Sequence, residues 1–236
     1  MRLLCCCVVV LGCTVPARGQ LDRILKGVGS LAKTGVLSNQ RVVSGLKEAL
    51  LIGTENSVKS TSARDGYFRN AAIKILMPDR LQRVARGLRA AGMGGPVDEL
   101  VLGMNRAAEA AAPKAKQIFL DALSQMTFDD GRRILTGGDT AATEYFRGRT
   151  SDTLTAAFRP EVENAMREVG VARQYEQLLG RARAIPFLKA DSVDINGYVV
   201  AKSLDGLFYV LGQEEQKIRK NPAARVTPLL REVFGP

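Results

Sequence analysis

The chain has 236 residues, with 34 basic and 24 acidic side chains, a net charge of +10, and no histidine or tryptophan. Its four cysteines, Cys5, Cys6, Cys7 and Cys13, all lie in the first thirteen residues. Beyond that segment there is neither His nor Cys, which excludes a Ser-His-Asp triad, a cysteine nucleophile and the common zinc sites. No cofactor motif and no metal ligand set is read from what remains.

The N-terminus reads as an export signal. Arg2 and the free amine give a positive start, Leu3 to Leu11 is apolar throughout, and Pro16 leads into Ala17-Arg18-Gly19. Cleavage is expected after Gly19, so residues 1–19 form the signal and residues 20–236 one helical domain. The apolar run falls well short of the roughly 20 residues that cross a bilayer. Val10-Leu11-Gly12-Cys13 also resembles a lipobox, and lipidation of Cys13 is the alternative. The expected location is the periplasm, either free or as a membrane-anchored lipoprotein. Loss of Arg2 and Arg18 leaves 217 residues with net charge +8. That excess favours anionic lipid, an envelope polymer or another envelope protein, and an exported chain makes nucleic acid the least favoured partner.

Val43, Leu46, Leu50 and Gly53 follow a helical spacing, which predicts a helix from near Asn39 to Ser60. Ser60-Thr61-Ser62 breaks it, and Asp65-Gly66 signals a turn. Ala71 to Met77 is the one apolar run that could be a strand. Without a partner run it reads as a buried turn or extended connector, stopped by Pro78. Asp79 to Ala91 is amphipathic. Leu81, Val84, Ala85 and Leu88 share about 100° of arc, while Arg80, Arg83, Arg86 and Arg89 occupy the other half. Gly92 suits the helix C-terminus, and Gly92 to Gly95 reads as a hinge.

Val97 to Ala111 is the next stripe, interrupted at Pro113 and resumed by Ile118, Phe119, Ala122 and Leu123. Thr127 opens a short helix with Asp129 and Asp130 in its first turn. Gly137-Gly138 ends it, and Asp139 is placed to cap the following helix. That one is expected to reach about Arg149, restart at Ser151 or Asp152, kink at Pro160 and close at Gly170. Val171 to Ala184 forms another helix. Val200, Leu204, Leu207, Leu211 and Ile218 mark a long one from Asp194 to Lys220, and a short terminal helix follows Thr227-Pro228. The fold class is all-α, a single multi-helix globule.

Three stretches carry a family likeness. They are Met104-Asn105-Arg106-Ala107-Ala108-Glu109, Gly137-Gly138-Asp139-Thr140-Ala141-Ala142-Thr143 with Tyr145-Phe146, and Leu204-Asp205-Gly206-Leu207-Phe208 leading to Asn221-Pro222-Ala223-Ala224-Arg225. Together they resemble the bacterial domain-of-unknown-function family 4197, over about Gly45 to Gly235. The resemblance implies an exported helical protein and brings no established activity or catalytic residue.

Four sites remain as candidates. Glu214 and Glu215 could be a desolvated carboxylate pair, as glycoside hydrolysis uses, or a salt bridge to an arginine. The helix start at Asp139 could hold an anion, although Asp139 itself can cap it. Ser192 to Ser203 has an EF-hand flavour but lacks the closing glutamate, and reads as a turn with an N-cap. The arginine-bearing helix suits an anionic surface. Asn105, Arg106 and Glu109 share a polar side of the following helix, with Arg106 and Glu109 as an i,i+3 pair. The expected function is non-enzymatic binding of an anionic or amphipathic partner. An envelope hydrolase using carboxylates and arginines, or a structural oligomer, are the alternatives. N-terminal sequencing of the exported protein is expected to begin at Gln20. A lipid-modified Cys13 at the N-terminus would refute it.

Overall fold

The computed structural model describes residues 18–168, 170–183 and 193–224, with side chains from Gln40 onward except those of Ala172, Ala182, Arg183 and Pro222. All regular structure among them is helical. The elements are α1 (Arg18–Ser62), α2 (Asp79–Ala90), α3 (Gly95–Ala111), α4 (Ala115–Ser124), α5 (Phe128–Thr136), α6 (Ala141–Glu168), α7 (Val171–Arg183) and α8 (Ile195–Lys220). Short 3-10 turns cover Ala112–Lys114 and Pro222–Ala224. The chain divides between Arg41 and Val42 into two units. The described part of the first is helical from Arg18. The second contains everything discussed below. No described helix is long and apolar enough to cross a membrane. Cys13, Ser192, Pro186 and the predicted helix after Thr227 lie outside the described residues.

The all-α expectation holds, with two differences in detail. Helix α1 starts well before Asn39 and ends at Ser62. Its Thr54, Ser57 and Thr61 are fully buried. Each hydroxyl donates to a carbonyl one turn back, Leu50 O at 2.6 Å, Gly53 O at 2.6 Å and Ser57 O at 2.7 Å, so a polar stripe enters the core without orphaned groups.

Helix α6 runs unbroken where two pieces were expected. Thr150, Ser151 and Thr155 do not cap a new start but bond back to Phe146 O, Arg147 O and Ser151 O within the helix. Pro160 sits on the exposed side, where the backbone hydrogen bond it removes is not a buried one. The buried residues Phe146, Thr150, Leu154, Phe158, Val162 and Met166 recur every four positions. A four-residue step overshoots one turn by about 40°. The buried line therefore winds around α6, which touches α3, α4, α5, α7 and α8.

The core lies where α3, α6 and α8 meet. Phe119 packs edge-on against Phe146 (5.2 Å between centroids) and Phe208 (6.0 Å). The alanines 107, 108, 111, 112 and 115 are fully buried. Beyond their helix propensity, they keep the surface of α3 and α4 low enough for neighbouring helices to approach. The expected punctuation is present. Thr127 and Asp130 form a capping box on α5, and Asp194 caps α8 through Gly197 N at 2.9 Å. Gly92 (φ 77°) and Gly170 (φ 69°) follow the ends of α2 and α6.

Two glycines separate close packing from idle flexibility. A Cβ on Gly206 would stand 2.6 Å from the Tyr67 ring, whereas one on the exposed Gly148 would meet nothing within 4 Å. Gly206→Ala is expected to destabilise by about 1–3 kcal/mol through overpacking. Gly148→Ala, mid-helix, should stabilise by about 0.5–1 kcal/mol. Urea unfolding of both variants checks the opposite signs.

Candidate functional site

Between α1 and α2 the chain crosses residues 63–78 without regular structure, so its backbone groups need partners from elsewhere. Helix α3 supplies them. The buried Asn105 accepts from Ile75 N at 2.9 Å and donates to Ile75 O at 2.8 Å and Val101 O at 2.7 Å. Glu109 Oε1 accepts from Tyr67 N at 3.1 Å and Phe68 N at 3.2 Å. Its Oε2 takes a 2.6 Å bond from Arg106, whose other arm holds Asp65 Oδ1 at 2.6 Å. The three α3 residues thus converge as their shared polar side implied, and that side faces the connector.

The electrostatics follow from these pairs. The hydrogen bond from Arg106 holds the Asp65 carboxyl below its ordinary value of 3.8, against some desolvation. The Glu109 hydrogen bond raises Arg106 further. Burial, then the Glu109 charge, pushes the Tyr67 phenol far up, so it remains a donor to Ser203 O at 2.6 Å. Asp65 itself has φ 68°, a left-handed conformation that Asp and Asn adopt more readily than most non-glycine residues.

Two concave surfaces adjoin this network. A groove of about 450 Å³ lies between the connector, α2 and α3, with Phe68, Leu76, Met77, Ala85 and Val101 as apolar lining. Lys74, Arg86 and Arg89 line it too, against one acid, Asp98, which pairs with Arg89 at 2.5 Å. Lys74 Nζ stands 4.1 Å over the Phe68 ring. Leu76 is 55% exposed. A cleft of about 580 Å³ opens on the neighbouring side of α3, between the end of α1 and α7.

The α2 arginines fall as the periodicity required. Leu81, Val84, Ala85 and Leu88 are buried, and Arg80, Arg83, Arg86 and Arg89 are exposed. Only Arg86 and Arg89 reach the groove. The segment after α2 is tied by Met93 N to Leu88 O at 2.8 Å and spanned by the Arg89–Asp98 pair.

The remaining candidates are placed differently from their sequence reading. Glu215, not Glu214, is the buried carboxylate. It reaches from α8 to the start of α6 and accepts from Ala142 N, Thr143 N and Thr143 Oγ1, each at 2.9 Å. Arg219 donates to it at 3.0 Å and to Ile134 O at 2.8 Å. Glu214 turns outward to Asn56 and Lys217. Adjacent helical residues point about 100° apart, so the two acids do not face each other. Asp139 does not cap α6, because Glu215 already occupies those donors. It pairs with Lys220 instead. Among the described residues no cluster of three His, Cys, Asp or Glu could hold a metal.

The family model described as "Protein of unknown function (DUF4197)" matches residues 36–235. The chain belongs to this family. No curated protein and no solved structure matches it. In this DUF4197 member, the three stretches that carry the likeness sit at tie points of the fold. Asn105 to Glu109 holds the connector, Ala142-Thr143 receives Glu215, and Gly206 lies under Tyr67.

Sequence reasoning missed the groove residues Lys74, Leu76 and Phe68. The available signal was Lys74, a single cation inside the apolar run 71–77. It also missed Asp65 as a charged partner and took Asp65-Gly66 only as a turn.

Asp65 gives a test by pH. A carboxyl whose folded pKa is depressed stabilises fully above its ordinary 3.8. That contribution is lost as pH falls through the lower folded value. Asn tolerates the left-handed backbone, so Asp65→Asn removes only the charge. The variant is expected to be less stable than wild type at neutral pH, with the gap closing below pH 3.8. Urea titrations from pH 7 to pH 2 read this. A gap that persists undiminished at pH 2 would show that the Arg106 pair contributes nothing.

Proposed function

We propose that this DUF4197 protein is a non-enzymatic envelope protein that binds an anionic amphiphile at the groove between the connector, α2 and α3. The carrying observation is the lining. An apolar floor is bordered by Lys74, Arg86 and Arg89, and their only acid is already paired with Arg89. The exposed Leu76 is part of that lining, and Arg80 and Arg83 extend the cationic surface along α2. An apolar chain fits the floor while a phosphate or carboxylate headgroup meets the cations. Export, with the protein free in the periplasm or held by a lipid on Cys13, belongs to the same proposal and rests on the N-terminal segment.

Two of the candidate acids are unsuited to hydrolysis. Glu109 and Glu215 spend both oxygens on protein donors. A carboxylate so engaged is a poor general acid or base.

Each cation near an anionic surface contributes on the order of 1 kcal/mol. Replacing Arg80, Arg83, Arg86 and Arg89 together by Gln is therefore expected to weaken binding to phosphatidylglycerol vesicles at least tenfold at low salt. The difference should shrink at high salt. Leu76→Ser should weaken binding at both salts, since apolar burial is not screened. Vesicle co-sedimentation distinguishes the two. Wild-type protein that ignores anionic vesicles, or an arginine-free variant that binds equally, would refute the proposal.

A further inference from the structure

We propose a second binding site, independent of the groove. The cleft between the end of α1, α3 and α7 takes a small carboxylate that also carries an amide or hydroxyl donor. Its volume, about 580 Å³, is in the range of small-molecule sites. Helix α3 shapes it by size. Gly103, Arg106 and Ala110 fall three and four residues apart on one side, so Gly103 and Ala110 leave room on either side of the guanidinium. Gly103 also lets Val171 of α7 sit against α3, which brings the cleft's far wall close.

The cleft presents both polarities. Arg106 is fixed by Asp65 and Glu109, and a guanidinium has five N–H donors, more than those two ion pairs consume. Arg64 adds a second cation at the wall, and the acids Glu99 and Glu109 line the cleft as well, Glu109 with both oxygens already taken by Arg106 and the backbone of Tyr67 and Phe68. With one N–H of each Arg106 terminal nitrogen committed to an acid, a bound carboxylate can accept from the donors left over and from Arg64. Opposite α3, Gln174 lines the same cleft, and its Oε1 is buried without a hydrogen-bond partner. Among the described residues it is the one buried side-chain oxygen or nitrogen left so. Such a carbonyl costs stability until a donor reaches it. A small rotation of the amide would bring a bound N–H or O–H into range. The ligand class is therefore a carboxylate with a neighbouring donor, whether from a peptide terminus or an acidic sugar.

The groove uses Asp98 and Val101 of α3, whereas the cleft uses Glu99, Leu102 and Arg106, so the two sites can fail separately. The test titrates the exported, full mature chain with N-acetylalanine, glucuronate and propionate, followed by calorimetry and thermal unfolding. N-acetylalanine or glucuronate is expected to bind and raise Tm, with propionate, which has no donor, at least tenfold weaker. Gln174→Met should raise the Tm of the free protein, because the orphaned carbonyl is gone, and should weaken the bound probe at least tenfold. Ala110→Trp fills the cleft from an exposed helix position, where folding tolerates it, and should abolish probe binding while vesicle binding is unchanged. If neither probe binds, if propionate binds equally well, or if the two variants bind like wild type, the proposal is overturned.

Discussion

The carboxylate of Glu215 is the contact on which most of the helix arrangement depends. Both of its oxygens meet the first turn of α6, where backbone N–H groups have no partner within their own helix. Arg219, one turn further along α8, neutralises it and reaches on to Ile134 O at the end of α5. Three helices are thereby held at one point. The pair is nearly dry, with side chains 5% and 13% exposed. Removing one member of such a pair strands the other and typically costs about 3–5 kcal/mol. With no cysteine after Cys13, no disulfide among the described residues can substitute for it. The neighbouring aromatic cluster of Phe119, Phe146 and Phe208 fills the same junction and supplies non-directional stability. Glu215 fixes how α6 and α8 meet.

The same device recurs on α3. Asn105 and Glu109 stand in for the backbone partners that an isolated extended segment lacks, and they pin residues 65–75 against the helix. Tyr67 is driven into the space left by Gly206 and anchored by its hydroxyl to Ser203 O. Two buried acids therefore serve the fold at the places where a free anion would otherwise bind. Beside the connector, the groove that α2 and α3 border carries more cations than acids, and Leu76 stays exposed there.

The cationic character of the chain is unevenly used. Many basic groups join acids in surface pairs such as Lys114–Glu161 and Lys116–Glu55, which are worth little singly. Arg106 is half-buried between Asp65 and Glu109 and lines the cleft beside α3. The α2 arginines are exposed above an apolar stripe, and two of them border an apolar groove. A solvated face and a binding face look alike along the sequence. The apolar floor of the groove and its single acid set this face apart from the paired surface charges.

By itself the sequence determined the helical class, the amphipathic α2 and the caps at Thr127, Gly92 and Asp194, because each is written in residues within one or two turns of one another. It also carried the family, through short stretches that prove to be tie points. Only the tertiary structure decided that α6 is continuous, since its buried line winds around five neighbours and no local window shows a stable face. Only the structure decided which of Glu214 and Glu215 is buried, because the answer depends on where the start of α6 lies, some seventy residues away. Asp139 lost its capping role for the same reason, a competing carboxylate from a distant helix. The groove and the cleft are likewise products of packing. Their residues come from α1, the connector, α2, α3 and α7, and no spacing along the chain relates Lys74 to Arg86 or Arg106 to Gln174.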